Sequence, residues 1–523
     1  MSRKGGFIRR LSSAARSRKL AAEIVDAAGI CSLGGRGLQS EFNLGYRLNS
    51  TGVALAGAAA LMSALCGARA AELPTQTLPP ASPPSCFASI VDYLLASAQE
   101  CPLTWNGVTL YGNLDFGAGY QTHGVPFNNV YQNGVEELIS KNSNGRRYVL
   151  VPNGLGQSYI GVKGEEPIAG GWSLVFNLQN GFDPYTLERA NGPKSLVQNN
   201  ITALDSQTAN GDSSRAGQLF NTVAYAGLSH PIYGTLTAGR QDSLILDGLG
   251  NYDSMAAAPA FSVIGTSNTA AGAGDTEDAR YNTSLQYKTR VGPLRLAGLY
   301  QLGGYDQGNG SNGAFSAEVG GDFGGFSFHA VGAKVKDAVS LSNFGEYPLP
   351  SGVAQNDLKA TLSDNTSGAI MLRYTFGALK LYGGFEYILF RNPSDDYPNG
   401  FKTIGGYFVL PGYVTSTAYD NNKILRVFWT GARYAVRDNI DVAGAFYHYY
   451  QNDYNTSACT DGGLSASSCA GTLDALSAMI DYRPAKRVDL YAGVMWSQVT
   501  GGLASGYLYH ANFGPTAGLR FQF

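Results

Sequence analysis

The sequence predicts an all-β fold: a 16-stranded antiparallel transmembrane β-barrel with short turns on one rim and long loops on the other. Composition is the first observation. Among 523 residues there are 68 Gly and 32 Tyr, while charged residues make up only 15%. Such a composition favours strands joined by many turns. The second observation is a period of two in hydrophobicity, and the third is a regular alternation in the lengths of the connections.

The first 70 residues are predicted to be a leader that is removed on export. Residues 53–65 form an apolar run of 13, which suits the core of a signal peptide and is too short for a membrane helix. Ala68 and Ala70 are the small residues that a signal peptidase accepts, so cleavage is expected after Ala70, with Ala71 as second choice. Residues 1–50 are either an extended targeting leader or the product of a start codon placed too far upstream.

Residues 71–103 are predicted to form a Pro-rich linker followed by a short periplasmic segment between cysteines, and residues 104–523 to form the barrel. Cys86, Cys101, Cys459 and Cys469 remain after cleavage, in two local pairs that indicate two disulfides in an exported protein. Cys459 and Cys469 flank a Gly/Ser-rich loop that closes easily. A straight helix between Cys86 and Cys101 would hold them about 22 Å apart, against a limit of about 7 Å for a disulfide. Either that helix is short and the chain doubles back, or the pair is unbonded.

Period-two alternation begins at Thr104 and recurs along the rest of the chain. One face of each segment is apolar and the other polar, as in Leu379, Leu381 and Phe385 against Lys380 and Glu386. Sixteen strand candidates lie near residues 104–120, 148–163, 172–179, 218–228, 234–240, 280–289, 294–302, 314–323, 326–335, 368–376, 379–390, 424–435, 440–451, 472–482, 488–497 and 515–523.

The connections between these candidates alternate strictly between long and short. Eight are long, from 121–147 to 498–514, and seven are short, such as 324–325 and 377–378. An even strand number with short turns on one rim is the layout of bacterial outer-membrane barrels. A sheet in a bilayer must close on itself, because no backbone group can remain unpaired there. Sixteen strands enclose an aqueous lumen, so the polar face is expected inside and the apolar face against lipid.

Four motifs carry a family resemblance. They are Val-Thr-Leu-Tyr-Gly at 108–112, Ile-Gly-Val-Lys-Gly-Glu at 160–165, Tyr-Gly-Thr-Leu-Thr-Ala-Gly-Arg-Gln at 233–241 and the terminal Leu-Arg-Phe-Gln-Phe. Because these motifs occur together and in this order, the chain from about Leu103 to Phe523 resembles the Gram-negative general porins, which are trimeric 16-stranded channels. The segment between Cys86 and Cys101, with residues 119–124, is most similar to the alphaproteobacterial branch.

The resemblance implies that the loop after the fifth strand folds into the lumen and narrows it. Here that loop spans about 242–279 and contains acids but no Lys or Arg. The expected acids of the constriction are Asp242, Asp247, Asp253, Asp275, Glu277 and Asp278. The expected basic residues of the pore wall are Arg240, Arg280 and Lys288. Alternation supports Arg280 and Lys288, which share a polar face opposite Tyr281, and is ambiguous for Arg240. Opposed charges in a narrow wet pore create a transverse field that favours polar solutes.

The resemblance also implies partners. A homotrimer, outer-membrane lipid and lipopolysaccharide are expected around the barrel, and small hydrophilic solutes and ions within it. The final aromatic, Phe523, resembles the family's signal for the barrel-assembly machinery. No cofactor is expected, and a net charge of −2 without a basic stripe predicts no binding of nucleic acid.

Three functions are compatible with such a barrel. The first is passive diffusion of small hydrophilic solutes and ions. The second is a substrate-specific channel, and the third is a non-conducting barrel that serves adhesion or envelope structure. No Ser/His/acid set or zinc spacing is evident among the five histidines, so the sequence predicts no enzyme.

Overall fold

The computed structural model describes residues 87–124, 139, 146–187, 219–266, 280–304, 311–342, 348–354, 357–394, 403–404, 407–455, 467–505 and 509–523. Every described residue lies in the unit formed by residues 82–523. The predicted leader and the linker up to Cys86 lie outside the described residues. Among the residues described, no helix has the length and apolarity that crossing a bilayer requires.

The described residues form twenty strands and a few short helices. The strands are β1 Leu103–Trp105, β2 Val108–Gln121, β3 Arg147–Pro152, β4 Ser158–Pro167, β5 Ser173–Phe182, β6 Val223–His230, β7 Gly234–Asp242, β8 Arg280–Val291, β9 Leu294–Gln301, β10 Gly313–Phe323, β11 Phe326–Ser342, β12 Leu358–Phe376, β13 Leu379–Arg391, β14 Thr403–Ile404, β15 Tyr407–Thr415, β16 Lys423–Arg437, β17 Ile440–Gln451, β18 Gly471–Ala485, β19 Val488–Val499 and β20 Ala511–Gln522. The helices are α1 Ile90–Leu95, α2 Leu244–Tyr252, α3 Val263–Thr266 and a 3₁₀ turn at Gly501–Ala504.

Sixteen of the twenty strands form one closed antiparallel barrel, which confirms the predicted fold. Setting β1, β3, β14 and β15 aside, each strand pairs with the next, and β20 returns to β2. At this seam Asp115 lies opposite Arg520, and Gly117 lies opposite Gly518. The main chains of Phe523 and Gly112 exchange two hydrogen bonds of 2.9 and 3.0 Å. No described edge of the barrel is left unpaired at the seam, as a bilayer requires.

Four details of the strands differ from the sequence prediction. The first predicted strand is split into β1 and β2 by a tight turn at Asn106 and Gly107, whose φ values of +47° and +78° suit a type I′ hairpin. The second is split into β3 and β4, and both halves pair with β2. The hairpin of β11 and β12 extends well beyond its predicted ends, and the loop after β13 contains β14 and β15. These additions rest on pairing between segments, which periodicity alone does not report.

The barrel is apolar outside and polar inside. Leucines and aromatics on the outer face are exposed, for example Leu476 at 57% and Phe376 at 72%. Asp115, Glu386 and Asp481 on the inner face are buried. The inner face also holds a cluster of buried apolar side chains, including Leu249 and Phe261, which come from the connection between β7 and β8. That connection, the third long loop, therefore lies inside the barrel.

Candidate functional site

The third loop begins at the end of β7 and forms a helix at once. Ser243 caps α2 by accepting a hydrogen bond from the Leu246 amide at 3.3 Å. The helix buries Leu244, Ile245 and Leu249 inside the barrel. Helix α2 contacts the wall formed by β9 to β13, so the predicted inward fold of this loop is observed.

Contacts with distant strands fix the loop across the lumen. The Trp429 indole on β16 donates to the Tyr252 carbonyl at 3.1 Å. The Ser254 hydroxyl donates to the Gly444 carbonyl on β17 at 2.9 Å. The loop therefore crosses from β7 to the opposite wall.

Asp253 is buried and does not line an opening, contrary to its expected place among the pore-lining acids. Its side chain is 2% exposed. The carboxylate accepts hydrogen bonds from the Tyr447 hydroxyl at 2.8 Å and from the Met255 and Ala257 amides at 3.2 and 3.0 Å. Burial raises the pKa of the Asp253 carboxyl, and these donors oppose that rise. Asp253 is thus an anchor of the loop, and the sequence could not separate it from the exposed acids.

Two other expected acids contact expected basic residues directly, instead of facing them across an opening. Asp242, the last residue of β7, lies 2.7 Å from Arg280, the first residue of β8. This pair joins the two ends of the loop. Asp247 on α2 lies 2.5 Å from the Lys288 ammonium on β8. Asp275, Glu277 and Asp278 lie outside the described residues.

Arg240 and the start of β8 depart from simple alternation. The Arg240 side chain is 5% exposed and donates to the Asn221 carbonyl at 3.0 Å and to the Asn282 side chain at 2.5 Å. It therefore stands within the fold and presents little surface to a pore. Tyr281, expected on the apolar outer face of β8, is 1% exposed and packs in the inner apolar cluster. The register with β7 shifts at this point, and Thr283 has φ +47°, which indicates a β-bulge. Because a bulge inserts an extra residue, it reverses the face on which the residues beyond it lie, and Tyr281 points inward.

Sequence reasoning missed a network of ion pairs on the wall opposite α2. Arg433 contacts Asp441 and Asp481 at 3.0 Å each, and Arg483 contacts the same two acids at 2.9 and 3.0 Å. Arg520 on β20 lies 2.8 Å from Asp489. These strands bring equal numbers of acids and arginines together, so this part of the wall is electrically balanced. Its only signal in the sequence is the polar phase of each strand.

A segment before the barrel is fastened to the rim that carries the short turns. The segment Phe87–Pro102, called the strap below, contains α1 and contacts the turn between β18 and β19. Arg487 in that turn is fully buried and donates to the carbonyls of Tyr93, Ser97 and Cys101 at 2.7, 3.2 and 2.6 Å. Lys486 contacts the Glu100 carboxylate at 2.6 and 2.9 Å.

One cysteine of each predicted disulfide lies among the described residues. Cys101 and Cys469 are each disulfide-bonded and nearly inaccessible to solvent. Cys86 and Cys459, their predicted partners, lie outside the described residues. Helix α1 has only six residues, as the predicted pairing of Cys86 with Cys101 requires.

A closed barrel with a lipid-facing outer surface, a charged inner wall and an inward loop defines the class of outer-membrane channel-forming proteins. The profile of the Gram-negative porins matches residues 57–502. The chain therefore belongs to the Gram-negative porin family, and its place is the outer membrane.

Individual relatives are distant. An outer membrane porin protein of Bordetella pertussis is 26% identical over 196 residues, which cover 38% of this chain and 42% of that protein. The match thus spans less than half of the relative's length. An anion-selective porin from Comamonas acidovorans superimposes with a TM-score of 0.50 at 18% identity, covering 80% of this chain and 99% of that one. OmpT of Vibrio cholerae gives 0.49 at 12% identity over 81% and 100%. Identities this low show the fold alone.

Proposed function

We propose that the protein is a water-filled channel for passive diffusion of small hydrophilic solutes and ions across the outer membrane. The observation that carries this proposal is the third loop, which crosses a charged lumen and is fixed to both walls. A loop in this position limits the size of the solutes that can pass, and charged walls favour hydrophilic solutes and ions over apolar ones.

Purified protein in planar lipid bilayers tests the proposal. We expect ohmic conductance steps, and liposomes containing the protein should swell in isotonic solutions of small sugars and not of large ones. Absence of conductance would instead favour the third function, a barrel that serves adhesion or envelope structure. Conductance that one solute blocks at low concentration would favour a substrate-specific channel.

We infer further that the protein assembles as a homotrimer in contact with outer-membrane lipid and lipopolysaccharide. Solved structures with this fold include a trimer form of OmpT of Vibrio cholerae. The trimer can be tested by comparing the gel mobility of unheated and heated protein. Porin-type trimers withstand mild detergent, so the unheated protein should migrate as a trimer and the heated protein as a monomer. Migration of unheated protein as a monomer would contradict it.

We also propose that Phe523 is read by the barrel-assembly machinery. Its main chain pairs with Gly112, and its ring stacks with that of Phe521 at a centroid distance of 6.0 Å. Phe523→Ala keeps the main-chain hydrogen bonds and removes the ring, whereas Phe523→Tyr keeps an aromatic ring. Recognition of the ring predicts reduced surface levels for Phe523→Ala, near-normal levels for Phe523→Tyr, and unchanged conductance of those barrels that do form. Equal surface levels for both variants would contradict the proposal.

We propose that the disulfides are Cys86–Cys101 and Cys459–Cys469. The short α1 and the bonded state of Cys101 and Cys469 support this pairing. Peptide mapping of unreduced protein by mass spectrometry tests it.

A further inference from the structure

A cavity of about 670 Å³ lies between α2 and the inner wall of β7 to β12. Its floor lies near the short turns, at the ends of β6 and β8 that carry His230 and Arg290. Its roof comes from α2 through Asp247, Asn251 and Tyr252. Short turns mark the periplasmic rim, so a solute that has passed the loop reaches this cavity next. The volume suits a small metabolite and exceeds that of a few water molecules.

Most of the charges in the cavity wall neutralise one another in pairs. Lys288 contacts Asp247 at 2.5 Å, and Arg295 contacts Asp322. Glu318 lies 3.1 Å from the Nδ1 atom of His329. All three acids of the wall are therefore engaged with a basic side chain.

Two arginines of the wall form no salt bridge with an acid among the described residues, although Arg290 lies near Asp322, which already pairs with Arg295. Arg290, at the end of β8, is exposed. Arg373 on β12 donates only to the neutral Asn251 carbonyl, at 3.1 Å, and its guanidinium lies 5.6 Å from the centre of the Tyr252 ring. The wall holds four Lys or Arg against three Asp or Glu, so a positive charge remains to be balanced by ions or solute.

His329 also lines the cavity and is held on both ring nitrogens. Its Nε2 atom lies 3.1 Å from the Leu244 carbonyl oxygen, while Nδ1 faces Glu318. Glu318 is thereby occupied by a neighbouring side chain and does not turn towards the two arginines.

We propose that this cavity is a weak binding site for small solutes that carry a carboxylate or a phosphate group. The anionic group would contact Arg373 and Arg290, because an arginine without a carboxylate partner binds such oxygens through charge-assisted hydrogen bonds. Exchange with the open lumen keeps the binding weak enough for transport, since conduction needs sites that a solute can leave. The inference rests on the proposed channel function and names the class of solute that the channel retains on its periplasmic side.

The test compares two probes that differ only in charge, N-acetylglycinate and N-acetylglycinamide. In planar bilayers at constant ionic strength, N-acetylglycinate should reduce the conductance of the wild-type channel more than N-acetylglycinamide does. Arg373→Gln and Arg290→Gln should each weaken this block by roughly tenfold or less, as expected for loss of one charge-assisted hydrogen bond. Lys380→Gln is the matched control, because Lys380 is an exposed cation of β13 outside the cavity lining.

Two results would overturn the site. One is equal block by the two probes, and the other is a weakening in Lys380→Gln as large as in Arg373→Gln, which would indicate a general field of the lumen. Saturation-transfer NMR on detergent-solubilised protein separates the site from the channel. Transfer to N-acetylglycinate that depends on Arg373, in a protein that does not conduct, would retain the site and refute the channel. A conducting protein that shows no such transfer would refute the site alone.

Discussion

The Tyr447 hydroxyl on β17 donates a hydrogen bond to the Asp253 carboxylate across 2.8 Å. Both side chains are buried, and they join the third loop, just after α2, to the wall opposite its origin. The position of the loop in the lumen therefore depends on a contact between residues 194 positions apart in the chain.

Replacing Tyr447 by Phe should loosen the loop without opening the barrel. The substitution removes one donor from a buried carboxylate, which costs about 1–3 kcal/mol. We expect noisier single-channel currents and frequent partial closures, because the loop gains alternative positions. Tyr374→Phe is the control, since Tyr374 lies on the lipid-facing side and is 49% exposed. Currents as quiet as those of the wild type would show that the other contacts hold the loop alone.

Breaking the pair of Lys288 and Asp247 should alter ion selectivity more than stability. The side chains are 46% and 29% exposed, and such pairs contribute about 1 kcal/mol or less. Lys288→Gln leaves an uncompensated carboxylate in the lumen and should shift the reversal potential in a KCl gradient towards cations. Asp247→Asn should shift it towards anions, and the double variant should return near the wild-type value. Shifts of the same sign in both single variants would refute the direct pairing.

Enlarging Gly518 should weaken the seam. A Cβ atom there would lie 2.3 Å from the Tyr491 hydroxyl and 2.5 Å from the Phe116 carbonyl oxygen. Gly518→Ala should cost about 1–3 kcal/mol, as overpacking usually does, and lower the temperature at which the folded form disappears on semi-native gels. Gly368→Ala is the matched control, because its Cβ would have no neighbour within 4 Å. Equal temperatures for the two variants would contradict close packing at the seam.

The contact between the strap and the rim should weaken in acid. The Lys486 ammonium and the Ser97 amide lower the pKa of Glu100 from 4.5 to about 2. A pKa lowered by folding adds stability that is fully present above the ordinary pKa of 4.5 and is lost as the pH falls through about 2. Pepsin should therefore cut the strap faster at pH 2 than at pH 4, beyond its own change in activity. The effect should be modest, because the three contacts of Arg487 are made to backbone carbonyls and involve no carboxylate.

Glu100→Gln provides the comparison for this experiment. It removes the titrating group and keeps the shape of the side chain, so cleavage of the strap should no longer respond to pH in this range. A response as large as that of the wild type would assign the acid sensitivity to other groups.

The sequence predicted the barrel well because each strand meets lipid on one face and water on the other. A one-residue slip would exchange the two faces, so alternation in segments such as 379–390 fixes both facing and approximate ends. Sequence reasoning failed where local rules are broken. The bulge at Thr283 turns Tyr281 inward, and no residue type near Thr283 predicts a bulge.

Burial of individual loop charges could not be predicted, because it depends on contacts between distant segments. Asp247 and Asp253 look alike in sequence, yet one faces the cavity and the other is covered by β17. Arg487 resembles a solvated turn residue, and only the fold of the strap brings three carbonyls to it. The acids of the third loop could be read from the sequence, whereas the direct contacts of Asp242 with Arg280 and of Asp247 with Lys288 could be seen only in the fold.

Closure between β2 and β20 has a consequence for how the protein tolerates change. Asn512 and Gln121 hydrogen-bond across this closure although they are 391 positions apart, so every intervening strand must be in place before they meet. Loss of a single strand would expose two unpaired edges within the bilayer, whereas lengthening a loop leaves all the pairings intact. Doubling a loop's length costs only about 0.6 kcal/mol. Epitopes inserted into the long loops should therefore preserve the barrel, and deletion of any one hairpin should abolish it.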